Sequence, residues 1–200
     1  MRPLLFCIFV YVVILMTSFS VMAQGETKKA VIAGGCFWCV ESDFEKLDGI
    51  TEAVSGYAGG DRPSPVYENY YETNENFTTP HIEVVELTYD PAIISYRDII
   101  EYQMRHIDPT DGDGQFCDRG EQYRPAIFVK NEEERTIAET VIKETAQTLG
   151  QDINVDILPD APFYPAEAYH QDYASKNPVR YKFYRWNCGR DQRINDVWDK

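Results

Sequence analysis

Two adjacent glycines, Gly34 and Gly35, end the apolar run Val31-Ile32-Ala33 and are followed at once by Cys36-Phe37-Trp38-Cys39-Val40-Glu41. Beyond the cysteine, Phe37, Val40, Phe44 and Leu47 recur at three- and four-residue spacing, which is one face of a helix. Strand, glycine turn, cysteine and helix thus form the first unit of the fold. This arrangement also makes a thiol reactive. Free N–H groups and the macrodipole at a helix start favour a thiolate, and glycines let a substrate approach the backbone. Cys39 stands about one helical turn further on, where it can capture an oxidised or mixed-disulfide state of Cys36.

Residues 1–23 read as an export signal rather than as part of the fold. Arg2 is a minimal positive region, Leu4 to Met16 is apolar, and Val21-Met22-Ala23 offers a small-residue cleavage pattern before Gln24. A retained N-terminal anchor is the alternative, given the length of the apolar stretch. Cys7 lies inside that stretch, and no cysteine stands at the cleavage point to carry a lipid. Residues 24–200 then form a single domain, exported to the periplasm or another extracytoplasmic space and expected to be a monomer. The formal charge of -14 becomes -15 when Arg2 is removed, because the segment carries that one charge and no acid. Such acidity argues against nucleic acid or an anionic membrane surface as partner.

The remaining chain alternates. Strands are expected over 29–33, 50–57, 81–89, 126–129 and 153–158. Helices are expected over 36–47, from Ser95 to about His106 with Asp98 completing a capping box, and from Asn131 to a stop at Gly150. A long loop covers 108–124. The last forty residues are aromatic-rich and poorly periodic, with room for two short helices. This pattern predicts an α+β fold, a two-layer sandwich with an extended, irregular C-terminal segment.

Four cysteines stay in the mature chain: Cys36, Cys39, Cys117 and Cys188. Structural disulfides are the ordinary expectation in an exported protein. They fit poorly here, because a domain of this size needs no staples and Cys36–Cys39 closes too small a loop to stabilise much. On the strand 81–89 the odd positions His81, Glu83, Val85, Leu87 and Tyr89 form the more apolar face. Glu83 therefore points either into the core or, as a strand-end residue, into water, and in the core its carboxyl would hold a proton near neutral pH. Asp118 and Tyr123 sit beside Cys117 in the long loop, whose lead-in fails the register of a calcium loop. No zinc spacing is present, and no metal or cofactor is expected. His170 reads as a satisfied polar group, with a pocket residue as the alternative, and Tyr181, Phe183, Tyr184 and Trp186 read as core rather than binding surface.

An ordered series of motifs runs through the chain: Gly34-Gly35-Cys36-Phe37-Trp38, Gly56-Tyr57-Ala58-Gly59-Gly60, Pro65-Val66-Tyr67, His81-Ile82-Glu83, Asp108-Pro109-Thr110, Asp118-Arg119-Gly120-Glu121-Gln122-Tyr123-Arg124, Phe163-Tyr164-Pro165-Ala166-Glu167 and Tyr169-His170-Gln171-Asp172-Tyr173. Together they resemble the A-type peptide methionine sulfoxide reductases, from about Lys29 onward. The resemblance implies a ferredoxin-like core and reduction of methionine-S-sulfoxide, free or in proteins. It implies Cys36 as nucleophile, Glu83 as proton donor to the sulfoxide oxygen, Tyr67 and Tyr123 as hydrogen-bond donors to it, and Asp118 as an orienting residue. Phe37 and Trp38 would form the apolar wall, and thioredoxin or a thioredoxin-like dithiol would return the enzyme to its reduced state.

This chain departs from the usual pattern at Cys39, where most relatives carry glycine, and at Pro80 and Ile82. Cys39 is the preferred resolving thiol on proximity, with Cys188 as competitor and a relay through both open; the role of Cys117, a bystander on one reading, stays open. Two other functions compete. A thiol–disulfide oxidoreductase would use Cys36 and Cys39 but leave Glu83 and the tyrosines without a task, and a disulfide-bonded binding module would leave no free thiols.

Overall fold

Val31, Ile32 and Ala33 suit a strand buried on both faces, and the glycines after them allow the reversal that a side chain would block. A computed structural model describes residues 25–199, so the expected export signal lies outside the described residues. β1 (Lys28–Ala33) enters the turn at Gly34. Gly35 has φ +82°, and a Cβ there would come within 2.6 Å of Gln115 Cβ. α1 (Phe37–Phe44) begins directly after Cys36 and stops three residues before the expected end.

β2 (Ile50–Ala58), β3 (Ile82–Tyr89) and α2 (Tyr96–Arg105) follow. Ser95 and Asp98 form the expected capping box. β4 (Gly114–Gln115) and β5 (Asp118–Arg119) make a small hairpin inside the long loop, succeeded by a 3₁₀ turn at Glu121–Tyr123. Then come β6 (Ala126–Val129) and α3 (Glu132–Leu149), which is capped by the Asn131 side chain and closed by Gly150 in the left-handed region. β7 (Asp156–Pro159), β8 (Tyr164–Pro165), α4 (Tyr173–Lys176), α5 (Pro178–Asn187) and α6 (Arg190–Trp198) complete the order.

Six strands form one sheet in the order β7-β6-β1-β3-β2-β8, antiparallel throughout except for the β6–β7 pair. Alternation along the strands divides the core. Ile32, Val85, Leu87 and Ile127 join Phe37, Phe44, Ile99, Met104 and Val141 in the larger cluster under the helices, while Val31, Val84 and Phe128 pack on the other face under Leu158, Ala161 and Phe163.

The C-terminal segment is a correction. It is not irregular but mostly helical, and Phe183 and Trp186 are exposed rather than core. Only a narrow face of α5 is covered, where Tyr181 is buried, so the apolar residues Val179, Phe183 and Trp186 on the open side blur the period. Pro178 at the first position of α5 gives the helix its start.

Candidate active site

Cys36 sits at the N-cap of α1, and its carbonyl accepts the N–H groups of Cys39 and Val40. The alternation of β3 carries Glu83 with Val85 and Leu87 to the helix-covered side, directly beneath that helix start. There the Glu83 carboxyl accepts the Phe37 N–H at 2.9 Å and the Tyr70 hydroxyl at 3.0 Å. Glu83 is buried, and removal from water outweighs both hydrogen bonds, pushing its pKa up from 4.5 to about 8. It is therefore a neutral acid at pH 7.

Cys36, Phe37, Trp38, Tyr67, Glu83, Asp118, Tyr123 and Tyr184 line one cavity of about 80 Å³. That is room for a group the size of two or three water molecules, and no more. A larger, open groove of about 550 Å³ lies between residues 110–113 and 153–156, but it is polar and contains no thiol. The Cys36 thiol lies in the smaller cavity. Trp38 is held there on three sides: it stacks on Tyr173 at 3.7 Å, meets Tyr184 edge-on, and donates its indole N–H to His170 Nδ1 at 3.0 Å.

The resting thiol differs from what the helix start alone predicts. Burial pushes the Cys36 thiol well above its ordinary value of 9.0, and the neighbouring Cys39 sulfur adds to this. One of the helix's free N–H groups is already spent on Glu83. Cys39 moves the other way, down to about 7, because it accepts a hydrogen bond from Cys36 and faces Arg190 and Arg185. Both arginines come from the C-terminal helices and converge on the buried Asp43, with Arg185 Nη1 at 2.8 Å and Arg190 Nε at 3.7 Å. Arg190 also donates to the Gly34 carbonyl and so fixes the turn before the nucleophile.

The sequence-predicted residues Cys36, Cys39, Glu83, Tyr67, Tyr123, Asp118, Phe37 and Trp38 thus converge on one place. Cys188 does not join the free thiols. It is bonded to Cys117, which gives the open Cys117 position a partner and places one disulfide where structural bridges fit the sequence poorly. Cys117 lies next to Asp118, and Cys188 lies one helical turn beyond Tyr184.

Two site residues, Tyr70 and Tyr184, were missed, and His170 takes the pocket role that was its alternative reading. Tyr70 holds Glu83 from the side opposite Phe37, Tyr184 touches Cys36 and Asp118, and His170 orients Trp38 rather than being fully satisfied, since its Nε2 has no partner. The spacing of Tyr181, Tyr184, Arg185 and Cys188 was the available signal for one helix face.

Two groups of metal-ligand type occur among the described residues: Cys117 with Asp118 and Cys188, and Glu41 with Glu45 and Asp172. The first has both sulfurs tied in a disulfide. In the second, Glu41 is occupied by the Ser55 hydroxyl and the Asp172 N–H, and Asp172 pairs with Lys176. Neither offers a free ligand set.

Comparison with known proteins bears directly on this geometry. The family described as peptide methionine sulfoxide reductase matches residues 28–200. The chain belongs to this family. Peptide methionine sulfoxide reductase MsrA 2 of Rhizobium meliloti is 44% identical over 173 residues, covering 86% of this chain and 84% of that protein. The MsrA/MsrB protein of Vibrio cholerae is 44% identical over 194 residues; 90% of this chain is covered, but it spans only 50% of that longer relative. Among solved structures, methionine sulfoxide reductase A of Corynebacterium diphtheriae is 32% identical with a TM-score of 0.66, covering 78% of each chain.

Proposed function

We propose that the chain reduces methionine-S-sulfoxide, free or in proteins, to methionine. The observation that carries this reading is the cavity itself, in which a buried thiol, a carboxyl group neutral at pH 7 and an aromatic wall meet in a space that fits one methylsulfinyl group.

The Cys36 thiolate attacks the sulfoxide sulfur while Glu83 gives its proton to the sulfoxide oxygen, with Tyr67 and Tyr123 hydrogen-bonding that oxygen and Asp118 orienting the substrate or a pocket water. The S–O bond breaks and the hydroxyl passes to the Cys36 sulfur; the transient bond between the two sulfurs breaks with its electron pair on methionine, which departs reduced by two electrons while Cys36 remains as the sulfenic acid. Phe37 and Trp38 take the methyl group.

Cys39 then attacks the Cys36 sulfur, forming the Cys36–Cys39 disulfide and releasing water. Its support is threefold: contact with Cys36, a pKa of about 7, and the engagement of Cys188 with Cys117. A thioredoxin-like dithiol reduces the new disulfide and becomes oxidised in its place.

The strand order β6-β1-β3-β2, with α1 and α2 as crossovers, supports a ferredoxin-like reading of the core. Export through residues 1–23 would put the reaction outside the cytoplasm; no helix among the described residues is long and apolar enough to cross a membrane.

The test is reduction of racemic N-acetyl-methionine sulfoxide with dithiothreitol, followed by chiral chromatography, beside Cys36→Ser. Loss of the S epimer alone, abolished in the variant, is expected. If neither epimer disappears while an insulin disulfide is reduced, the thiol–disulfide oxidoreductase reading, which the adjacent Cys36 and Cys39 favour, takes its place.

A further inference from the structure

Tyr184 touches the nucleophile and an acid at once, and neither contact has a part in the steps above. Its hydroxyl donates to Asp118 Oδ2, and it lines the same small cavity as Cys36, whose sulfur it faces. A phenol has one proton and can accept while it donates, so it can pass a proton from one neighbour to the other without ionising. We propose that Tyr184 is a catalytic residue in the activation of Cys36: its oxygen takes the thiol proton as its own proton passes to the Asp118 carboxylate, and it then donates a hydrogen bond to the thiolate. This deepens, and rests on, the sulfoxide-reductase reading.

The step balances. It begins with a Cys36 thiol, a Tyr184 phenol and an Asp118 carboxylate, and ends with a Cys36 thiolate, the same phenol and a neutral Asp118. One proton is passed on at each of the two contacts and no electron moves.

The surroundings suit a relay. Burial raises the Asp118 pKa above its ordinary value, which makes it a better proton acceptor than a surface aspartate, and burial keeps the Tyr184 phenol far from ionising. The other titratable groups facing Cys36 are Cys39 from α1, Glu83 from β3, Tyr67 and Tyr123. Glu83 already holds its proton, and burial pushes both tyrosines up. Cys39 is the one competing acceptor, and its charge is needed later for disulfide formation.

The geometry is also held covalently. The Cys117–Cys188 disulfide joins the residue before Asp118 to the helix turn after Tyr184, and the Cys117 N–H donates to Cys188 Sγ at 3.2 Å. The Trp38 ring, 5.9 Å away and edge-on, fixes the phenol from the remaining side.

The experiment is a pH profile of iodoacetamide alkylation at Cys36, read by peptide mass with the Cys117–Cys188 bond intact, for the native protein, Tyr184→Phe, Asp118→Asn and the double variant. A hydrogen bond to a charged sulfur is worth enough that Tyr184→Phe should raise the Cys36 midpoint by about one unit or more and slow single-turnover sulfoxide reduction at pH 7 about 10- to 100-fold. The double variant should be no worse than the more affected single variant, because both residues serve one path. An unshifted alkylation profile in a folded Tyr184→Phe protein, or additive losses in the double variant, overturns the relay. The alkylation profile needs no sulfoxide chemistry, so failure of the native protein to reduce either epimer would count against the proposed function separately.

Discussion

Replacing Glu83 with glutamine should make the protein more stable and nearly inactive at the same pH. In the native fold the carboxyl holds its proton up to a pKa of about 8, against 4.5 in the ordinary environment. The folded state therefore binds more protons than the unfolded state between those values, and stability falls as pH rises through that window. At pH 7, keeping the proton costs about 1.4 kcal/mol for each unit above 4.5, or roughly 3 kcal/mol. Glutamine is neutral without this cost. Its amide can replace only one of the two acceptor contacts to Phe37 and Tyr70 and must turn its NH₂ toward the other, at about 1 kcal/mol. The net gain is about 2 kcal/mol, a rise in Tm of roughly 4–8 °C for a domain of this size. Catalysis loses its acid, which should lower kcat by 10²–10⁴-fold with little change in KM. Thermal unfolding at pH 5, 7 and 8.5 beside turnover of N-acetyl-methionine sulfoxide measures both. A variant within about threefold of native activity would remove Glu83 from the mechanism, and a native protein whose stability does not fall between pH 5 and 8 would refute the buried, protonated state.

Other variants test the neighbouring parts. Cys39→Ser should keep its first turnover but stop there, leaving a Cys36 sulfenic acid that dimedone labels and mass spectrometry detects. Loss of His170 in His170→Leu leaves the Trp38 indole N–H unpaired, so KM for the sulfoxide should rise several-fold while Cys36 alkylation stays near native. Asp43→Asn leaves the buried Arg190 and the half-buried Arg185 with one partner fewer each and should destabilise the protein by about 3–5 kcal/mol in urea melts. Gly35→Ala introduces a Cβ in a left-handed conformation against Gln115, and should lower both stability and activity by displacing the Cys36 turn.

Local chemistry explains why some elements were legible in the sequence. Ser95 with Asp98, and Asn131 with Gly150, mark helix ends through contacts made within a few residues, and both helices lie as the sequence predicts. The alternation of β3 put Glu83 on the apolar side, which is where it points. What the sequence hid depends on distant partners. β7 starts at Asp156 rather than Ile153 because residue 154 is drawn away to the Pro109 carbonyl. The pairing of Cys117 with Cys188 joins positions 71 residues apart, and no spacing rule reaches that far. The period of α5 is weak because most of its apolar residues face outward.

The Gly34 carbonyl and Arg190 are 156 residues apart along the chain. A polypeptide emerging N-terminus first therefore exposes Cys36 long before the guanidinium that finishes its turn exists. Arg185, which tunes Cys39 from the same side, is equally late. Until α5 and α6 arrive, neither the relay phenol nor the charges behind Cys39 are in place, and the two thiols belong to an unfinished helix start with ordinary reactivity. The tuned reactivity of the two thiols is thus a property of the completed chain, switched on by folding itself.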